Sequence, residues 1–268
     1  MQLPANMAAR RELFRAHGVD VNDPALHESL HDRDQRIQRE NRAMTVQMEQ
    51  LKAQVYASYS LWPNGQPMSF SFNQWKPEMQ KNAKQARNIG IQVFQLSKEL
   101  LAKPFNVILC GFPGVGKTSL GLALMKTAAQ QGLSTMFVST TLLAKMYSDS
   151  YSDWQLKDRL NNTIRAMKEV DTLMLDDFGT EGGIAERVMS DQYRGVRQDM
   201  MSGMYELANA RWDDQHNQPK GHTIITTNNF SDELVKIYDP KTISRLISND
   251  KRYRVLFNGM QDMRGVGA

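Results

Sequence analysis

The chain has 268 residues and a net charge of +4, with 41% hydrophobic and 23% charged residues. That length carries one well-buried domain plus a smaller module, and the ordinary apolar and charged fractions exclude wholesale disorder. The only cysteine, Cys110, excludes an intramolecular disulfide or a cysteine-built zinc site, and no apolar run reaches membrane-spanning length, so a reduced, cytoplasmic setting is expected.

Charge is unevenly placed. Residues 1–103 hold 14 Lys and Arg against 10 Asp and Glu, whereas the remainder holds 19 of each. The basic excess includes Arg10, Arg11 and Arg15 and suits nucleic acid or an acidic partner, or is an ordinary solvated surface. No signal-peptide core is present from Met1 to Gly18.

From Leu30 to Val55 there is no Gly or Pro, and Leu30, Ile37, Met44 and Leu51 recur every seven residues, which predicts one long helix. The companion seam, Asp34, Asn41, Met48 and Val55, is only half apolar, so an amphipathic helix that docks on something fits better than a full coiled coil. Its cover is either this chain or another protein. Pro63 and Gly65 break the pattern, and Leu61–Pro67 reads as a linker. The expected division is a helical partner-binding module over 1–66 and a main domain over 67–268.

Ala86, Ile89, Val93, Leu96 and Leu100 mark a second helix, stopped by Pro104, that braces the main domain. Beyond it, the apolar runs Asn106–Cys110, Met136–Val138, Leu173–Leu175, His222–Thr226 and Tyr253–Phe257 alternate with helical stretches. This alternation predicts an α/β fold with a parallel sheet and helices on both faces.

Gly111-Phe112-Pro113-Gly114-Val115-Gly116-Lys117-Thr118 follows the first of these runs and opens a helix expected over 117–130. In this G-x-x-x-x-G-K-[ST] pattern, glycines let backbone N–H groups face phosphate oxygens. Lys117 neutralises the β- and γ-phosphates, and the Thr118 hydroxyl ligates Mg²⁺. ATP and Mg²⁺ are therefore expected, with Gly111, Pro113, Gly114, Val115, Gly116, Lys117, Thr118 and Ser119 as the nucleotide contacts.

Leu173-Met174-Leu175-Asp176-Asp177 is an apolar strand with two carboxylates at its end, resembling a Walker B motif. Asp176 would hold Mg²⁺, mostly through water, and Asp177 would orient or deprotonate the attacking water. Thr223–Asn229 is another strand ending in polar groups, where Asn228 is the candidate to bond that water or the γ-phosphate; the bland alternative is an Asn-rich turn. Arg245 is either a finger that reaches a neighbouring subunit's γ-phosphate or a surface arginine. Lys251, Arg252, Tyr253 and Arg254, with Lys76, Lys81, Lys84 and Arg87, either neutralise DNA phosphates while an aromatic stacks on a base, or form a solvated face.

Taken in order, Phe70-Ser71-Phe72-Asn73-Gln74-Trp75, the brace helix, "NVILCGFPGVGKTSL", "VDTLMLDDFG", "TIITTNN", "ISRL" and "RVLFNGMQDMR" resemble the AAA+ ATPases of the DnaC/DnaI/IstB group over about residues 68–264. The resemblance implies a P-loop sheet with the Thr223–Thr227 strand between those carrying Walker A and Walker B. It further implies Asn228 as sensor 1, Arg245 as a finger acting in trans, and Arg264 as a sensor 2 contact. Asp177 departs from the glutamate usual in many AAA+ proteins, and by setting the carboxylate one methylene back it points to slow hydrolysis.

Two roles follow from the resemblance. One is a replicative helicase loader that self-associates through its ATP sites, grips a hexameric helicase with residues 1–66 and contacts single-stranded DNA. The other is an IstB-like transposition helper on duplex DNA. A third reading, from Asp177, is an adaptor that binds ATP without turnover.

Overall fold

The computed structural model describes residues 12, 15–18, 30–181 and 198–265; Arg10 and Arg11 lie outside the described residues. The chain divides into two units, Met1–Gln50 and Leu51–Ala268. Helix α1, Leu30–Ser58, begins in the first and ends in the second. Its lack of Gly and Pro allows this length, and an Arg36–Glu40 pair one turn apart (3.2 Å) supports it. Ile37, Met44, Met48, Leu51 and Val55 are all exposed.

Leu61–Pro67 has the composition of a linker. Even so, Leu61 forms a parallel bridge with Val138, donating its N–H to Phe137 O (2.8 Å), while its own carbonyl accepts from Ser139 N–H (3.1 Å). Trp62 stacks on Phe137 with ring centroids 4.2 Å apart. The physical reason is that an edge strand leaves unpaired N–H and C=O groups, and this segment satisfies some of them.

Two 3₁₀ turns, Phe72–Gln74 and Pro77–Met79, lead into helix α2, Ala83–Ser97. Asn82 Oδ1 caps it by accepting Gln85 N–H, and Ala86, Ile89, Val93 and Leu96 are buried along one face. Strand β1 is Asn106–Cys110, helix α3 Lys117–Gln130, and β2 Thr135–Ser139. Helices α4, Thr140–Asp149, and α5, Trp154–Glu169, precede strand β3, Thr172–Asp176. Helix α6, Gln198–Ala210, leads to a two-stranded hairpin, β4 Trp212–Asp213 and β5 Gln218–Pro219. Strand β6, His222–Thr227, helices α7, Ser231–Ile237, and α8, Pro240–Leu246, and strand β7, Arg254–Leu256, complete the order.

The main sheet is parallel, in the order β2-β3-β6-β1-β7. Strand β6 lies between β1 and β3, as the resemblance implies, and each expected apolar run contributes a strand. Side chains alternate between two cores. One face carries Ile108, Val138, Leu175 and Ile225 against α4 to α8, and the other carries Val107, Leu109, Met174 and Ile224 against α2 and α3. Among the described residues, no helix is long and apolar enough to cross a membrane.

At the N-terminal ends of the strands, Arg211 is 4% exposed. Its guanidinium donates to Val170 O (2.7 Å), Met167 O (3.0 Å), His222 O (2.7 Å) and Thr223 Oγ1 (3.2 Å). It ties α5 and β6 together there, and burial lowers its pKa to about 10.

Candidate functional site

The C-terminal ends of β1, β3 and β6 deliver the polar groups, because in a parallel sheet these ends open onto the loops where ligands bind. After β1 the backbone curls through Gly114 (φ +76°) and Gly116 (φ +95°), conformations in which a side chain is strained. A Cβ on Gly116 would also come within 2.7 Å of the Trp75 ring. Trp75 is itself anchored through Nε1 to Ala86 O (3.0 Å), so the loop is pressed against a fixed aromatic floor.

Lys117 is 6% exposed, and its ammonium donates to Gly111 O (2.9 Å), Phe112 O (2.8 Å) and Asn228 Oδ1 (2.8 Å). Burial pulls its pKa below the usual lysine value, opposed by the nearby Asp177, Cys110 and Asp176. Thr118 Oγ1 donates to Asp176 Oδ1 (2.9 Å), and Thr226 Oγ1 donates to the same oxygen (2.7 Å). The Asp176 carboxyl is raised chiefly by burial, with the Thr226 and Thr118 bonds pulling it back. Asp177 takes the left-handed conformation, φ 57°, and its N–H donates to Thr226 Oγ1 (3.0 Å). That turn separates the carboxylates, leaving Asp176 buried and Asp177 exposed.

These groups border a cavity of about 670 Å³. Its lining brings together Pro113 to Ser119, Asp177, Asn228 and Arg264, far apart in sequence, with Trp75, Met79, Gln80 and Met263 on the remaining sides. Gly111 contributes its carbonyl to Lys117, and Asp176 sits behind Thr118. Arg245 is elsewhere: its carbonyl accepts from Asn106 Nδ2 (2.7 Å) at the start of β1, and its guanidinium is 3.6 Å from Asp214 in a second cavity.

The residues fit a nucleotide with its metal. The glycine cradle has no room for a Cβ at Gly116, the buried lysine has only neutral oxygens as partners, and the Thr118–Asp176 pair supplies the hard oxygens that Mg²⁺ takes. Among the described residues, no group of three or more His, Cys, Asp and Glu is placed to hold a metal, so phosphate and water would supply the other ligands.

Residues 71–187 match the family described as IstB-like ATP binding protein. That match spans the phosphate-binding loop and the β3 carboxylates, and the strand order sets β6 between them. Over those residues the chain is similar to that ATP-binding family. An insertion sequence IS1162 ATP-binding protein from Pseudomonas fluorescens is 31% identical to this chain over 83 residues, which cover 31% of the chain and 34% of that relative. The chain thus matches about a third of the length of that curated relative. A solved structure of DnaI has 20% identity and a TM-score of 0.45, covering 65% of this chain and 85% of that one. A primosome component from Streptococcus pyogenes has 16% identity and a TM-score of 0.48, covering 70% and 85%.

Several contributors carry no assigned role in the sequence. Thr226 reads as a β-branched strand residue, and only the register of β6 beside β3 turns its hydroxyl to Asp176. Gln80 has no motif at all. Glu181 is half-buried beside the β3 turn, its Oε2 accepting from Gly179 N–H (2.8 Å) and Thr140 Oγ1 (3.0 Å), and desolvation of its carboxyl pushes its pKa up to about 7. The basic cluster changes its meaning too. Tyr253 is buried against Phe105 and cannot stack on a base, while Arg252 pairs with Asp250 (2.6 Å) and Arg254 with Ser248 O (2.7 Å).

Proposed function

We propose that this ATPase is a replicative helicase loader, using bound ATP as a switch for its association with a hexameric helicase and single-stranded DNA. The observation that carries the ATP-dependent part is the convergence of Lys117, Thr118, Asp177 and Asn228 from three strand ends on one cavity, with Asp176 bonded behind Thr118. Helix α1, with Ile37, Met44 and Met48 exposed, supports the helicase-binding part.

Bound ATP would supply the phosphoanhydride whose cleavage by water releases the γ-phosphate. Lys117 holds the β- and γ-phosphates, exchanging its carbonyl partners for phosphate oxygens. Thr118 and Asp176 would hold the metal, which would offset charge on the phosphates. Asp177 orients the attacking water and accepts its proton, while Asn228 bonds that water or the γ-phosphate. Arg264 contacts the phosphates from the C-terminal segment. Arg245 acts on a neighbouring subunit's nucleotide, so ATP favours side-by-side assembly, and slow hydrolysis at Asp177 ends it.

The second reading is a transposition helper on duplex DNA, favoured by the similarity to the IS1162 protein. Mixing the full chain with a purified hexameric replicative helicase or an IS21-type transposase, with and without ATP, separates the two. ATP-dependent capture of the helicase supports the loader; capture of the transposase alone replaces it with the helper. Lys117→Ala abolishes nucleotide binding and phosphate release in either case.

A further inference from the structure

Gln80 is 5% exposed, and both ends of its amide are engaged by one residue. Its Oε1 accepts Gln261 N–H (2.9 Å), and its Nε2 donates to Gln261 O (3.1 Å). A single hydrogen bond would let residue 261 pivot, whereas this pair fixes its direction as a β-ladder rung would. The turn that carries Gln80 is rigid, with Pro77 in its first position and Gln80 N–H donating to Pro77 O (3.1 Å).

Beyond Gln261, Met263 N–H donates to Gly114 O (3.0 Å), in the middle of the phosphate-binding loop, and Met263 and Arg264 line the nucleotide cavity. Among the described residues, the other hydrogen bond from residues 261–265 to a distant part of the chain is Gln261 Nε2 to Met79 O, at 3.4 Å. Asp262 and Arg264 are exposed, so little apolar packing holds this segment down.

We propose that Gln80 is a positioning residue for the nucleotide site, clasping the 261–264 segment across the phosphate-binding loop so that the cavity wall bearing Arg264 is built before nucleotide arrives. This rests on the cavity being the ATP site. Without the clasp the segment occupies its place only part of the time, and apparent affinity falls by that fraction. Once nucleotide is bound the segment is recaptured, so turnover at saturation is retained.

The test uses the full chain, titrated with a fluorescent ATP analogue and assayed for phosphate release. Gln80→Leu is expected to weaken binding and raise KM about tenfold, the scale of two lost hydrogen bonds, with kcat within about twofold. Arg264→Ala weakens binding as well, and the double variant is no weaker than the weaker single, because both act through one segment. Met263→Pro removes the other anchor without touching the Gln80 turn and loses a similar factor, which covers the case of a Gln80→Leu chain that does not fold. Wild-type affinity in Gln80→Leu or Met263→Pro, or a double variant that loses the full product of its singles, overturns the proposal. Lys117→Ala keeps the two readings apart: if it binds nucleotide normally the cavity assignment fails, and if it alone loses binding only the clasp fails.

Discussion

Replacing Thr226 by valine removes one hydroxyl and almost no volume from a fully buried position. That hydroxyl donates to Asp176 Oδ1 (2.7 Å) and accepts Asp177 N–H (3.0 Å). A hydrogen bond to a charged group contributes about 1.5–3 kcal/mol, and the orphaned N–H costs about 1–3 kcal/mol more. The expected loss is on the order of 3 kcal/mol. For a unit of this size that lowers Tm by about 6–12 °C, measurable by calorimetry on nucleotide-free protein. The Thr226 bond also lowers the Asp176 pKa. Its loss raises that pKa, so the acid limb of the ATPase pH profile moves to higher pH, and kcat at pH 7 falls about tenfold if 1–2 kcal/mol of metal positioning goes with it. Thr226→Ser restores both properties. A valine variant with unchanged Tm and an unshifted acid limb refutes the assignment of Thr226 as the support of Asp176.

Arg211→Met leaves the carbonyls of Met167, Val170 and His222 without their buried donor, and a loss of about 3–5 kcal/mol is expected in urea unfolding. Glu181 gives a pH signature. Its folded pKa of about 7 lies above the ordinary 4.5, so the folded chain holds the extra proton and stability falls as pH rises from 4.5 through 7. The fall is on the order of 3 kcal/mol, and Glu181→Gln should flatten it when unfolding is compared at pH 5 and pH 8.

Much of the fold was legible because its signals are local. The apolar runs that became β1, β2, β3, β6 and β7 are short and separated by helix-length stretches. The phosphate-binding loop was legible for the same reason, since its glycine spacing is a requirement on consecutive backbone atoms. Leu61 was not, because Pro63 and Gly65 give it the composition of a linker, and its pairing with Val138 exists only once β2 presents an open edge. Tyr253 misled in the opposite direction: an aromatic among Lys251, Arg252 and Arg254 reads as a nucleic-acid contact, yet its ring is packed against Phe105.

By itself, then, the sequence determined the parallel α/β arrangement, the glycine-lined loop with Lys117 and Thr118, and the acidic end of β3. Each of these depends on neighbours in the chain. Only the tertiary structure decided that Thr226 supports Asp176, that Gln80 grips Gln261, that Trp75 forms the floor beneath Gly116, and that Arg245 stands away from the cavity of its own chain. Those relations join residues from separate strands and turns, and strand order and register, which no local pattern encodes, fix which of them meet.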